Sequence, residues 1–264
     1  MSAPSVPTLS AELPSGSSMP LLGFGTWQIT GSEATRTTAA ALAAGYRHID
    51  TATVYGNEAE VGAALTDSGI DRSQVFVTTK VPGGTTDADS TLTESLAKLQ
   101  TAYVDLWLIH WPTGDADATM WAAMAEAQAG GLARDIGVSN FSLTELDALI
   151  AQGPKPAVNQ IEWSPLLFDA EVLAGHQERG VVLEGYSALR GGTLDHPEIL
   201  AIAERAGRTA AQVIIRWHLQ HGVVVIPKSA NEQRIIANAD VGGFELSSDD
   251  MSQLDALGGS ATPS

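Results

Sequence analysis

The sequence predicts a (β/α)8 TIM barrel, and three observations predict it. Eight short apolar runs rich in β-branched residues succeed one another along the chain. Each is separated from the next by a longer stretch, often rich in alanine, with helical spacing of its apolar positions. The length of 264 residues is close to the usual size of such a barrel and buries a core without disulfides or metals. Strand alternating with helix eight times favours a closed barrel over a doubly wound open sheet.

The strands are expected at 21–25, 46–50, 75–79, 104–109, 133–138, 157–161, 181–186 and 223–226. Their near-continuous apolar character fits parallel strands covered on both faces. The first helix is expected to open at Ser32, with Glu33 behind it as at an N-cap, and to stop at Gly45 as a C′ glycine. Further helices are expected over 57–68, 89–99, 119–129 and 142–151. The last of these starts with Ser142 and Glu145 in capping-box spacing. Two more follow at 169–179 and 209–221, with a short helical piece at 197–206 before the second. Residues 8–18, with a Pro-Ser-Gly-Ser-Ser turn, read as an N-terminal β-hairpin that plugs the bottom of the barrel. A C-terminal helix is expected over 247–257, followed by a brief tail, and Asp249 and Asp250 fit its N-terminus. No linker, repeat or low-complexity break interrupts the chain, which is read as one domain, 1–264.

Composition narrows the function. There is no cysteine, which removes thiol nucleophiles and thiolate metal sites and suits a reducing cytoplasm. Lys+Arg number 14 against Asp+Glu 31, a formal net charge of −17. A chain so acidic repels nucleic acid and anionic membrane surfaces, so an anionic ligand needs a few well-placed cations. The polar, Ser- and Pro-rich residues 1–18 carry no signal-peptide pattern, and no run reaches membrane-spanning length. A cytoplasmic protein with neither nucleic-acid nor membrane partners is expected.

In a barrel of this type reactive groups belong at the C-terminal ends of strands. Four polar residues fall there: Asp50 ends the second strand, Tyr55 follows in the next loop, Lys80 ends the third and His110 ends the fourth. Singly, each has an ordinary reading: a turn cap, a packing ring, a solvated ammonium. Together they fit one proton transfer. Hydride reduction of a carbonyl creates an alkoxide that must receive a proton as it forms. A tyrosine, with an ordinary pKa of about 10, does this poorly unless its phenolate is stabilised. Lys80 is placed to supply that stabilisation and Asp50 to keep Lys80 charged and aimed. His110 could hydrogen-bond the carbonyl oxygen. No side chain can supply hydride, so a cofactor must.

The chain resembles the aldo-keto reductase family. GYRHIDTATVYGNEAEVG (45–62) is similar to the family's first signature. VFVTTK ending at Lys80, VDLWLIHWP (104–112), GLARDIGVSNF (131–141), PAVNQIEWSPLL (156–167) and VVVIPKS (223–229) resemble further family blocks in the expected order. The resemblance covers nearly the whole chain and is nearest the short bacterial members, such as the diketogluconate reductases. It implies NADPH-dependent reduction of aldehydes and ketones, over a broad substrate range, by a monomer. Tyr55 would be the proton donor, supported by Asp50, Lys80 and His110. Ser139, Asn140 and Gln160 would hold the nicotinamide carboxamide, Tyr186 would stack on the ring, and Ser187 would bind the pyrophosphate. Thr26 and Trp27 would lie along the ribose, with Asp50 also beside the cofactor. Lys228, Ser229 and Arg234 would grip the 2′-phosphate, with Asn238 beside the adenine. Trp27, Tyr55, His110 and Trp111 would line a shallow, open substrate pocket. The absence of the G-x-G-x-x-G turn fits a dinucleotide bound in another way than on a Rossmann fold.

Three positions depart from the family pattern: Val81-Pro82-Gly83, where a tryptophan is frequent after the lysine, Ala188 in place of proline, and Ala237 in place of glutamate before Asn238. They bear on substrate choice and adenine contacts. Two rival readings are weighed. A metal hydrolase could draw on His48 and Asp50, which share a strand face, with His110. No H-x-H pair is present, however, and Lys80 sits badly beside a metal. A module that binds NADPH with little turnover is the other, but it has no need of a charged lysine under a tyrosine. His176, His196, His218 and His221 read as surface or capping residues, and Trp107 and Trp217 as packing.

Overall fold

Strands made of successive valines, isoleucines and leucines have no polar face to give to water, so each must be covered on both sides. A computed structural model, which describes residues 4–114, 116–190 and 192–258, meets that requirement with a barrel inside a ring of helices. Residues 1–3, 115, 191 and 259–264 of the expected domain, including the tail after the last helix, lie outside the described residues.

The N-terminal hairpin pairs β1 (Ser10–Glu12) with β2 (Ser18–Pro20) in antiparallel register. The barrel strands are β3 (Phe24–Gly25), β4 (His48–Asp50), β5 (Phe76–Val81), β6 (Val104–Ile109), β7 (Ala133–Ser139), β8 (Val158–Glu162), β9 (Val182–Tyr186) and β10 (Val224–Val225). They are hydrogen-bonded in chain order, all parallel. A parallel bridge from Leu22 to Val225 closes the ring. Gly23 N–H donates to Val225 O at 2.9 Å, and Val225 N–H to Leu21 O at 2.8 Å. Every residue of β5 and β6 is buried, as parallel strands in a barrel require.

The helices are α1 (Ser32–Ala43), α2 (Glu58–Asp67), α3 (Ala88–Leu99), α4 (Ala116–Ala129), α5 (Leu143–Ile150), α6 (Ala170–Arg179), α7 (Pro197–Ala206), α8 (Ala210–Gln220), α9 (Glu232–Ala239) and α10 (Ser248–Asp255). Helix α5 carries the expected capping box, with the Ser142 side chain accepting from Glu145 N–H and Glu145 reaching back. The opening of α1 differs: its N-cap is Gly31, at φ 56°, and no side chain caps it, while Ser32 already lies in the first turn. Gly45, at φ 101°, follows the helix end as expected of a glycine there.

Helix α9 is one the periodicity does not delimit. It is eight residues long and buries only Ile235, Asn238 and Ala239, too short an apolar repeat to stand out. Strands β3 and β10 are two residues each, shorter than expected, because regular pairing at the closing seam gives way to a single bridge. His196 and His221 lie at helix ends, as read from sequence. His176 and His218 do not lie at the surface. Both are buried, and each satisfies a ring nitrogen on the carbonyl four residues back: Val172 O at 2.7 Å and Ile214 O at 2.8 Å. Trp107 and Trp217 are fully buried packing residues.

The hairpin buries Leu13 and Met19 against the core, and Ser15 N–H donates to Asp135 Oδ1 at 3.1 Å. Asp135 lies near the N-terminal end of β7, so the hairpin covers the barrel end opposite to the strand C-termini. Among the described residues no helix is long and apolar enough to cross a membrane.

Candidate active site

The fold delivers Asp50 at the end of β4, Lys80 in the last turn of pleat of β5, His110 just past β6, and Tyr55 on a short 3-10 helix, Thr53–Tyr55. The four meet. Lys80 Nζ donates to Asp50 Oδ1 at 2.7 Å, Asp50 Oδ2 at 2.8 Å and Thr51 O at 2.9 Å, and lies 3.4 Å from the Tyr55 hydroxyl. Thr53 Oγ1 donates to Lys80 O at 2.7 Å, tying the tyrosine's helix to β5. The Tyr55 and His110 rings stand edge to face, centroids 5.7 Å apart.

Electrostatics follow from burial. Taking Lys80 fully out of water disfavours its charge, but the Asp50 carboxylate, with Tyr55 and Glu184 adding to it, outweighs this and holds the ammonium above the ordinary lysine value. Burial lowers the His110 pKa to about 4, with Lys80 pushing the same way, so the ring is neutral at neutral pH. For Tyr55, burial raises the pKa and Lys80 pulls it down without reversing the balance. Lys80 alone was expected to lower it. The net result is a tyrosine that keeps its proton with an ammonium 3.4 Å from its hydroxyl.

Around the four lies a cleft of about 810 Å³ at the C-terminal ends of the strands, within the size range of small-molecule sites. Asp50, Tyr55 and His110 line it, with Trp27 and Trp111 exposed at its rim. Ser139, Asn140, Gln160, Tyr186 and Ser187 form one wall. They are knit together: Tyr186 OH donates to Asn140 Oδ1 at 2.8 Å, Ser139 Oγ to Gln160 O at 2.8 Å, and Gln160 Nε2 to Asp50 Oδ2 at 2.9 Å. Asn140 and Ser187, both non-glycine, sit at φ 66° and 57°, a backbone conformation that costs energy and gathers at functional sites. Lys228, Ser229, Arg234 and Asn238 line the far end. Arg234 Nε donates to Ser229 Oγ at 3.3 Å. Among the described residues neither Lys228 nor Arg234 forms an ion pair, so both cations are available to an anion. Thr26 does not line the cleft: it is buried, its hydroxyl donating to Asp50 O at 2.9 Å.

Three residues here escape the sequence reading. Arg190 lines the cleft with its guanidinium 5.0 Å from the centre of the Trp27 ring. Glu162 lines the wall at the end of β8. Glu184 on β9 lies fully buried inside the barrel. A charged residue at alternate positions of an apolar strand, as in Val-Leu-Glu-Gly-Tyr, is the signal that marks Glu184. Ala188, one of the three departures, is buried and lines the cleft. Two of the three groups of the metal reading are otherwise engaged. Asp50 is bound by Lys80 and Gln160, and His48 faces Thr78 Oγ1 and Pro20 O.

Comparison with known proteins places the chain. The family model described as "Aldo/keto reductase family" matches residues 21–258. An aldo-keto reductase of Mycobacterium sp. (strain KMS) is 46% identical over 249 residues, covering 92% of this chain and 90% of that protein. A glyoxal reductase of Bacillus subtilis (strain 168) is 44% identical over 252 residues, covering 93% and 91%. Among solved structures, an aldo/keto reductase from Brucella melitensis superposes with a TM-score of 0.91 at 41% identity, covering 96% of this chain and 99% of the other.

Proposed function

Because the chain belongs to the aldo/keto reductase family, and so is an oxidoreductase acting on carbonyl groups, we propose that it reduces aldehydes and ketones to alcohols with NADPH. The observation that carries this reading is the contact of Lys80 Nζ with both Asp50 and the Tyr55 hydroxyl beneath an open cleft. Bound NADPH would supply the hydride and leave as NADP+. Tyr55 gives its proton to the alkoxide oxygen, and Lys80 stabilises the phenolate left behind. His110, neutral above about pH 4, orients the carbonyl oxygen by hydrogen bonding rather than as an acid. Ser139, Asn140 and Gln160 hold the nicotinamide amide, Tyr186 packs on its ring, and Ser187 and Trp27 flank the phosphate and ribose side.

Lys228, Ser229 and Arg234, with Asn238, take the adenosine end. Two unpaired cations and a hydroxyl in a protein of net charge −17 fit a 2′-phosphate. Trp27, Tyr55, His110 and Trp111 form an aromatic entrance with few polar demands, which supports a broad substrate range. The glyoxal-reducing relative makes α-dicarbonyls the first substrates to try. We further propose a monomer in the cytoplasm, with the whole activity on one domain.

The test is NADPH absorbance decay with a panel of simple aldehydes and α-dicarbonyls, with and without chelator. Substrate-dependent oxidation that survives chelator, and is lost in Tyr55→Phe while NADPH binding persists, is expected. Undiminished turnover in Tyr55→Phe would refute the mechanism. Tight NADPH binding without turnover on any carbonyl would turn the reading to a binding module.

A further inference from the structure

Strand alternation sends Glu184 and Tyr186 to the same face of β9, and Glu184 lies deeper, in the barrel interior. It is fully buried. Neither carboxyl oxygen has a hydrogen-bond partner among the described residues. Beside it stands His48, whose Nε2 lies 3.7 Å from Oε1, too far for a hydrogen bond. Four strands supply the groups that face it or act on it. β4 presents His48 and Asp50, and β5 presents Lys80. β8 places Gln160 opposite Glu184 in register, and β10 opposes it with the apolar Val224. Gln160 in turn donates to Asp50, so the carboxyl stands one step from the Asp50–Lys80 pair.

The charges decide its state. Lys80 and Asp50 already balance, and burial has lowered the pKa of His48 to about 4, leaving that ring neutral. An ionised Glu184 would make the dry interior net negative. Burial first, and then the charge of Asp50, push its pKa up to about 8, with the neighbouring Gln160 amide and then Lys80 opposing. The same charge, once formed, acts on Tyr55 by raising its pKa, which weakens it as a proton donor.

We propose that Glu184 is a positioning residue of the reduction: held as a neutral acid beneath Asp50 and Lys80, it preserves the pull of Lys80 on Tyr55, and its ionisation in alkaline solution slows proton delivery to the alkoxide. This rests on the function proposed above, with NADPH as hydride source and the Tyr55 O–H bond breaking as the alcohol O–H bond forms. An unpartnered carboxyl is a costly tenant of a barrel core, and an apolar side chain would pack there more cheaply.

The test compares wild type with Glu184→Gln, which fixes the neutral state, by two readouts. One is the single-turnover rate of NADPH oxidation with glyoxal against pH. The other is infrared titration of ¹³C-glutamate carboxyls, which needs no activity. If the ionised form is inactive, the ratio of variant to wild-type rate is about tenfold higher at about pH 9 than at about pH 6.5. The infrared spectrum is expected to show one protonated carboxyl in neutral wild type, ionising in alkali and missing from Glu184→Gln. Parallel pH–rate profiles, even with a lower variant rate throughout, would reduce Glu184 to a structural role and overturn the proposal. So would a carboxyl set fully ionised in neutral solution. Should the variant fail to fold, the wild type decides: the infrared midpoint must coincide with the alkaline fall in rate, and a mismatch overturns the proposal. Absence of any glyoxal or carbonyl turnover would instead count against the proposed function, with the infrared titration still judging the carboxyl's state.

Discussion

A buried ion pair costs more to break than it contributes, because the survivor is left charged and dry. Lys80 and Asp50 are such a pair, with side chains all but removed from solvent. Lys80→Met is therefore expected to lose about 3–5 kcal/mol of stability in urea unfolding as well as turnover. The Tyr55 hydroxyl contributes only a 3.4 Å contact to the cluster, while the ring contacts with His110 and Lys80 survive in phenylalanine. The phenylalanine variant is expected to lose turnover with less than about 1 kcal/mol of stability, and that contrast separates the proposed proton donor from its support. At the other end of the cleft, Arg234→Ala is expected to weaken NADPH by about 1.5–3 kcal/mol while sparing NADH, read by fluorescence titration of both. An equal loss for the two would move the 2′-phosphate elsewhere. Asp50, Tyr55, Lys80 and His110 were legible because strand ends announce themselves in an alternating pattern. Glu184 and Arg190 were not. One hides within a strand whose composition looks merely apolar, and the other stands in a loop whose path the residues alone do not set. His176 and His218 misread as surface groups because a helix can satisfy an imidazole on its own carbonyl and bury it.

Elements declared themselves where a local rule sufficed. Ser142 and Glu145 announce α5, and Ser142→Ala is expected to cost about 1 kcal/mol by thermal unfolding, since one side chain caps two backbone groups with its partner. The bounds of β6 and α7 coincide with the sequence reading, helped by a β-branched, aromatic run and by Pro197 in the first turn. Elements fixed by their neighbours were harder to bound. The seam strands shrink to two residues, and α1 begins on a glycine whose positive φ no propensity scale foresees. Gly137 illustrates a constraint that only packing reveals. A Cβ there would stand 2.5 Å from Val158 O and 2.8 Å from Leu108 Cδ2. Gly137→Ala must force β7 and β8 apart and is expected to lose about 1–3 kcal/mol, visible as a lower urea midpoint.

For the molecule as a whole, the interior histidines set an acid limit. Burial holds His48 and His218 neutral, with pKa values down to about 4 against an ordinary value near 6.5. Their folded pKa values lie below the unfolded ones. Their stabilisation is therefore complete above about pH 6.5 and is withdrawn as pH falls through about 4, on the order of 3 kcal/mol for each ring at the limit. The melting temperature is expected to drop over that interval, and less steeply in His218→Gln; an unchanged slope would assign the acid limit to other groups. The barrel plan was legible at this scale because eight repeats of one pattern admit few closed arrangements. The seam between Leu22 and Val225 has a consequence for biosynthesis. Chains leave the ribosome N-terminus first, so Asp50, Tyr55, Lys80 and His110 emerge long before the strand that closes the ring around them. Until Val225 arrives, the first strand offers a bare edge and the cleft lacks Lys228, Ser229 and Arg234. A nascent chain paused short of that point already carries those four residues but not the cations at the far end of the cleft, so the complete site forms only after Val225 and Arg234 have both emerged.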